Sequence, residues 1–206
     1  TQAAVSIENG KLFISVINKN MELLEIKEQL ERRVRELDVL FEIAQVSASA
    51  TELDDLLEGV LARAVRAIEA EAGAILLEEP NGDLRFRSAV GGHSEVVKRQ
   101  IIPKGAGISG WVARHGRAQV VNDVDDDDRH ARDVADRVGY HPRTVLAVPL
   151  SWEEGKGALE LLNKHGGQAA FTEEDVRTAS LIANHISTAI NLASSREAKG
   201  KQERLS

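Results

Sequence analysis

From Leu23 onward, apolar residues recur at gaps of three and four: Ile26, Leu30, Val34, Leu37, Leu40/Phe41 and Ala44. Such spacing draws one stripe along a helix, with a mean period of about 3.5 residues. Glu28, Glu31, Arg32, Arg33, Arg35 and Glu36 fill the positions between, where they can pair across turns on a wet face. Residues 1–48 hold no proline, and only Gly10 weakens the helix. The pattern predicts a long helix over 1–48, about 70 Å if continuous. A narrow stripe on so charged a helix suits a two-stranded coiled coil. The alternative is a helix folded back on its own domain, which it would cover poorly.

The period then changes. Thr51 offers a helix cap, with Asp54 and Asp55 in the first turn. Leu53, Leu56, Leu57, Val60, Leu61, Ala64 and Ile68 form the broad face of a second helix. Gly73-Ala-Ile-Leu-Leu77 reads as a buried strand and Pro80-Asn-Gly-Asp83 as a turn. Leu84, Phe86 and Ser88 alternate with arginines on the returning strand. A short helix is expected near 94–99. Next comes a glycine loop, Gly105-Ala-Gly107, and a helix capped by Ser109 and stopped at Gly116. A strand ending at Asn122-Asp123 precedes a polar, irregular segment, 123–142, with a helical patch around 131–138.

Two further strands, Thr144–Leu150 and Gly157–Asn163, are joined by a turn at 152–156. Thr172 caps a last helix with Glu173, Glu174 and Asp175 at its positive end. Val176, Ala179, Ala183, Ile186, Ile190 and Ala193 recur along it at heptad-like spacing, a second stripe able to pair with another copy. Ala179 and Ala183 are small enough to tolerate two helix registers. Helix, strands, irregular lid, strands, helix argues for an α+β domain with a central antiparallel sheet and helices packed against it.

Composition narrows the chemistry. The 206 residues are 42% hydrophobic and 29% charged, ordinary for a globular chain. A net charge of −7 argues against nucleic acid as a direct partner. There is no cysteine, so disulfides, thiol catalysis and thiolate zinc sites are excluded. Leu12–Ile17 is too short to span a bilayer, and no signal peptide is recognisable. The opening lacks Met and reads as mid-helix, as expected of a piece of a longer protein.

The order Gly105-Ala-Gly-Ile-Ser-Gly-Trp111, then Val145-Leu-Ala-Val-Pro-Leu150, then Leu161-Leu-Asn-Lys164 and Phe171 closely resembles a GAF domain. The resemblance covers residues from about 37 to 193 and divides the chain into a helical linker (1–48), the domain (49–193) and a linker toward an output domain (194–206). Thr1–Asn9 resembles the end of a preceding GAF domain. Glu31–Leu37 resembles signalling linker helices, and Lys201–Ser206 the approach to a sensor histidine kinase. The resemblance implies a bacterial-type cytoplasmic sensor working as a homodimer through its N- and C-terminal helices. It would bind a small molecule, without membrane contact in this fragment, and relay its ligand state to the output.

In such domains a pocket lies between one sheet face and the irregular segment. The resemblance places Ser88, Ile108, Trp111, Asn122, Asp123, Val145 and Leu159 in its lining, with Arg129 and His130 in the lid. Trp111 also reads as a core residue, Asn122 and Asp123 as turn caps, and Ser88 as a small residue on a packed face. Asn163-Lys164…Phe171…Asp175 resembles a signature of cyclic-nucleotide-binding members, with Val176 replacing its final Glu. In the family a Lys–carboxylate contact ties the last strand to the last helix, so Lys164 should pair with Asp175.

Three readings follow: a ligand sensor, a dimerising spacer that binds nothing, and a cyclic-nucleotide receptor. No cofactor is required by the sequence. Asp125–Asp128 lacks the alternation and turn glycine of a calcium loop, and the six histidines show no helical metal spacing. No nucleophile elbow with its Asp and His is present. Family members that reduce methionine sulfoxide need cysteines. The fragment is therefore expected to be non-catalytic.

Overall fold

The computed structural model describes residues 2–49, 52–129, 132–165 and 170–203. The chain divides into two compact units, residues 1–41 and 42–206. Helix α1 runs Gln2–Ser49. In the first unit its apolar stripe lies bare: Leu23, Ile26, Leu30, Val34 and Leu37 are each 49–63% exposed.

In the second unit, α2 (Leu53–Ala67) starts at Glu52 without a side-chain cap, and Thr51 lies outside the described residues. Its apolar face buries Leu57, Val60, Leu61, Ala64 and Val65. Among the described residues six strands form one antiparallel sheet, ordered β3-β2-β1-β6-β5-β4. They are β1 (Ala70–Glu78), β2 (Leu84–Val90), β3 (Ile101–Ile102), β4 (Gln119–Val121), β5 (Val145–Trp152) and β6 (Gly155–Lys164). Short helix α3 (Ser94–Val97) follows β2, α4 (Gly107–His115) precedes β4, and α5 (Arg132–Val138) lies within the irregular segment. Helix α6 (Glu173–Glu203) closes the fold.

Side-chain alternation gives this sheet two different faces. On one, Ile75, Leu146, Val148, Leu159 and Leu161 are fully buried, and α2 and α6 pack over them. A methyl group at Gly73, on that face, would meet Val65 of α2 at 2.8 Å, so the glycine lets the helix approach. The other face carries alanines at 74, 89, 147 and 158. There α4 packs through Ile108 and Val112 against Val145, Ala147 and Ala158.

The α6 stripe expected to face a second copy is covered within the domain: Ala179, Ala183, Ile186 and Ile190 are at most 3% exposed. The reason is the hydrophobic face of β5, on which α6 packs. Thr172 and Asp175 cap α6 reciprocally, each backbone N–H donating to the other's side chain. Among the described residues no helix is long and apolar enough to cross a membrane.

Candidate functional site

Between the alanine face, α4 and α5 lies a cavity of about 100 Å³, room for a small metabolite rather than one water. Phe86, Ala89, Val97, Ile102 and Val138 line it, together with Ile108, Ala135 and Val145. His93 and Tyr140 also line it, with ring centroids 5.2 Å apart. The glycine loop shapes this wall. Gly105 and Gly107 both hold φ +71°, and a methyl group at Gly110 would strike the Gly105 backbone at 2.9 Å. Gly116 ends α4 in the left-handed region, as its position predicts.

Glu160 stands in the cavity lining, paired across strands with Ala74 on one side and Ala147 on the other. Ser109 was expected to cap α4, but the helix begins two residues earlier. Its hydroxyl instead donates to Glu160 Oε1 at 2.7 Å. Glu160 as a whole is half-buried. Burial pushes its pKa up, partly offset by the Ser109 bond. Sequence reasoning missed Glu160. The available signal was a lone carboxylate inside the apolar run Gly157-Ala-Leu-Glu-Leu-Leu162.

Of the expected lining, Ile108 and Val145 reach the cavity. Ser88 and Leu159 do not: both pair with Ile75, on the helix-covered face. A register shift between Ile75 and Leu76 sets Leu76 opposite Phe86 and breaks the simple alternation of β2. Ser88 is buried there, its hydroxyl unpartnered among the described residues. Trp111 stacks on His115 at 4.2 Å and packs against the α4 core, outside the lining. Arg129 lies 5.1 Å over the Trp111 ring. Two guanidinium bonds tie it to Asp127, at 2.6 and 2.9 Å, and a third reaches Gln119. Asp127 thereby raises the Arg129 pKa, and the cation points to its own loop rather than into the cavity. Asn122 and Asp123 are exposed, and Asn122 Oδ1 accepts from the Phe171 N–H at 2.9 Å. Asn122 thereby ties the loop after β4 to the residue before the α6 cap. His130 lies outside the described residues.

The Asn163-Lys164 pair ties β6 to β1, to the end of α2, to α6 and to the 140–144 loop. Lys164 Nζ donates to Asp175 Oδ1 at 2.8 Å and to the Ile68 carbonyl at 2.6 Å. It thus bridges the C-terminal end of α2 and the N-terminal end of α6, where a cation and an anion are respectively favoured. Asn163 holds φ +55°, a conformation asparagine tolerates better than most residues. Its Oδ1 accepts from the N–H groups of Arg143 and Thr144, and its Nδ2 donates to Glu71 and Tyr140 Oη. Burial and nearby Glu71 raise the Tyr140 pKa, which keeps the phenol protonated. Phe171 is buried beside this knot. Among the described residues no three His, Asp or Glu side chains converge as a metal site.

A family model described as GAF domain matches residues 50–191. The chain belongs to the GAF domain family. The GAF domain of a phosphoenolpyruvate-protein phosphotransferase from Coxiella burnetii superposes with a TM-score of 0.69 at 21% identity, covering 80% of this chain and 98% of that one. The GAF domain of a Pseudomonas syringae pv. tomato protein assigned as a sensor histidine kinase gives 0.57 at 21% identity, covering 85% and 97%. These likenesses establish the GAF fold. In sequence, the chain is 29% identical over 94 residues to the dual 3',5'-cyclic-AMP and -GMP phosphodiesterase 11A of Takifugu rubripes, covering 45% of this chain. The chain spans about a tenth of that phosphodiesterase's length. GAF domains are signalling and sensory modules, and these relatives carry them in larger proteins.

Proposed function

We propose that this GAF domain is a non-catalytic, regulatory sensor of a small molecule, dimerising through α1 and relaying its state through α6 to an output such as a cytoplasmic histidine kinase in a two-component system. The observation that carries this reading is the cavity over the alanine face. Core sheets are normally filled to crystal-like density, yet here small residues keep space clear beneath a polar group. The path outward is short. Tyr140 lines the cavity and bonds Asn163, and the adjoining Lys164 holds Asp175 in the first turn of α6.

The bare α1 stripe supplies the dimer contact, and its occupant is a second copy. The exposed Leu23–Leu37 positions repeat at coiled-coil spacing, and the intervening charges of both signs suit the flanks of a seam. Leu30→Glu should convert the dimer to monomer in sedimentation equilibrium. The cyclic-nucleotide reading has less support. Its signature residues here hold structure, and a cyclic phosphate entering the cavity would meet the Glu160 carboxylate.

Native mass spectrometry of the purified chain, followed by a denaturing spectrum, tests the proposal. The expected result is a dimer with added mass that denaturation removes. A dimer without added mass that no metabolite stabilises would make the domain a spacer.

A further inference from the structure

Glu160 has more hydrogen-bonding capacity than the protein uses. A carboxylate offers two acceptor oxygens and about four lone-pair sites. Among the described residues Ser109 is its hydrogen-bond partner, at Oε1, and none forms a salt bridge with it. Its neighbours across the strands are the methyl groups of Ala74 and Ala147. A carboxylate in such surroundings is ordinarily paired or neutralised, because desolvation of an isolated charge is costly. Here Glu160 lines a cavity, and no protein cation among the described residues pairs with it.

We propose that the cavity binds a small primary amine, its protonated ammonium seated on Glu160 and its hydrocarbon body against Phe86, Val97, Ile102 and Val138. This assignment rests on the cavity being the sensory site and adds the ligand's class.

Three features select that class. The sign of the charge is fixed by the lining, which contains Glu160 and, among the described residues, no lysine or arginine. An anionic ligand would meet a like charge without compensation. The depth is fixed by Ala74 and Ala89: their short side chains let a head group reach the sheet. The body is fixed by the walls, which are aromatic and aliphatic over most of their area. Ser109 is a positioning residue that occupies one oxygen and leaves the other for the ligand. The remaining titratable groups of the lining are His93 and Tyr140. Tyr140 Oη accepts a bond from Asn163, and among the lining residues Glu160 is the full anion available to a cation.

The test uses three probes of similar size, n-butylammonium, n-butanol and butyrate, titrated by calorimetry into the full chain, with Glu160→Gln and Ala74→Leu as variants. Circular dichroism checks that both variants fold. Butylammonium should bind preferentially to the wild type. Glu160→Gln should weaken it by roughly tenfold to a hundredfold, the scale of one charge-assisted hydrogen bond. Ala74→Leu should abolish it by filling the floor. Equal or tighter binding of butanol or butyrate, lost in Ala74→Leu, would overturn the amine assignment while leaving the cavity a ligand site. Unchanged butylammonium affinity in Glu160→Gln would also overturn it. Silence from all three probes overturns it too, and the native mass spectrum then decides separately whether the cavity holds any ligand.

Discussion

The two faces of the sheet are built from the same strands to opposite ends. Along β6, Leu159 and Leu161 point to α2 and α6, while on the opposite face Ala158 packs under α4 and Glu160 lines the cavity. Along β5, Leu146 and Val148 face the helices and Ala147 the other side. One face spends its side-chain volume on packing and holds the fold. The other withholds volume and accepts a half-buried glutamate. A period of two lets one strand serve both purposes, because successive residues answer to different layers. Stability and recognition are thereby separated by a single residue step.

Substitutions on the two faces should accordingly differ in sign as well as size. The largest effect is expected on the packed face. Leu159→Ala should destabilise the domain by about 2–5 kcal/mol in urea unfolding, because it empties a fully buried site. A loss below about 1 kcal/mol would place Leu159 in a collapsible pocket and blur the distinction between the faces.

Next comes the clasp at the sheet's end. Lys164→Met keeps the aliphatic stem but strands Asp175, whose side chain is 11% exposed. The expected cost is roughly 2–3 kcal/mol, below the range for fully buried pairs because some solvent reaches this one. Hydrogen exchange at the first turn of α6 should accelerate with it.

On the cavity face the prediction reverses. In the ligand-free chain, burial raises the Glu160 pKa, so the folded state holds that proton to higher pH than the unfolded state. Its contribution to stability is fully present in acid, below the ordinary carboxyl value. It is lost as pH rises through the raised value. Glu160→Gln should therefore be more stable than wild type at neutral pH by about 1–2 kcal/mol. The difference should shrink as pH falls toward the ordinary carboxyl range. Paired thermal melts across pH check this, since other titrating groups cancel between the two proteins. A difference that grows in acid would contradict the burial of Glu160.

The smallest effect belongs to Ser88, whose buried hydroxyl has no partner among the described residues. Ser88→Ala should be neutral or stabilising by up to about 1 kcal/mol. A clear loss of stability would reveal a hydrogen bond.

Much of this architecture is legible in the sequence, and the misses share a cause. Local signals worked: the Pro80–Asp83 turn closes with the Glu79 N–H donating to the Asp83 carbonyl, and Gly82 takes positive φ. The Gly116 stop and the Thr172 cap are likewise local. The facing of side chains is not. The family resemblance places Ser88 and Leu159 in the cavity, but both pair with Ile75, and for Ser88 the shift in β1–β2 register beside Ile75 decides the face. Ser109 looked like a cap because a serine before a helix usually is one. Its actual partner, Glu160, lies 51 residues away in sequence. The apolar α6 residues recur at heptad-like spacing, and a helix face covered by its own sheet has the same periodicity. Glu160 itself left only a weak trace, one charge in an apolar strand. A sequence marks where strands run more readily than what their two faces meet.

The most direct test is an NMR titration of the chain, methyl-labelled at alanine, isoleucine and leucine, with n-butylammonium. The account predicts saturable shifts at Ala74 and Ala89, with Ile75, Leu159 and Leu161 nearly still. Absence of shifts at the alanine methyls, or movement concentrated at the packed face, would contradict it.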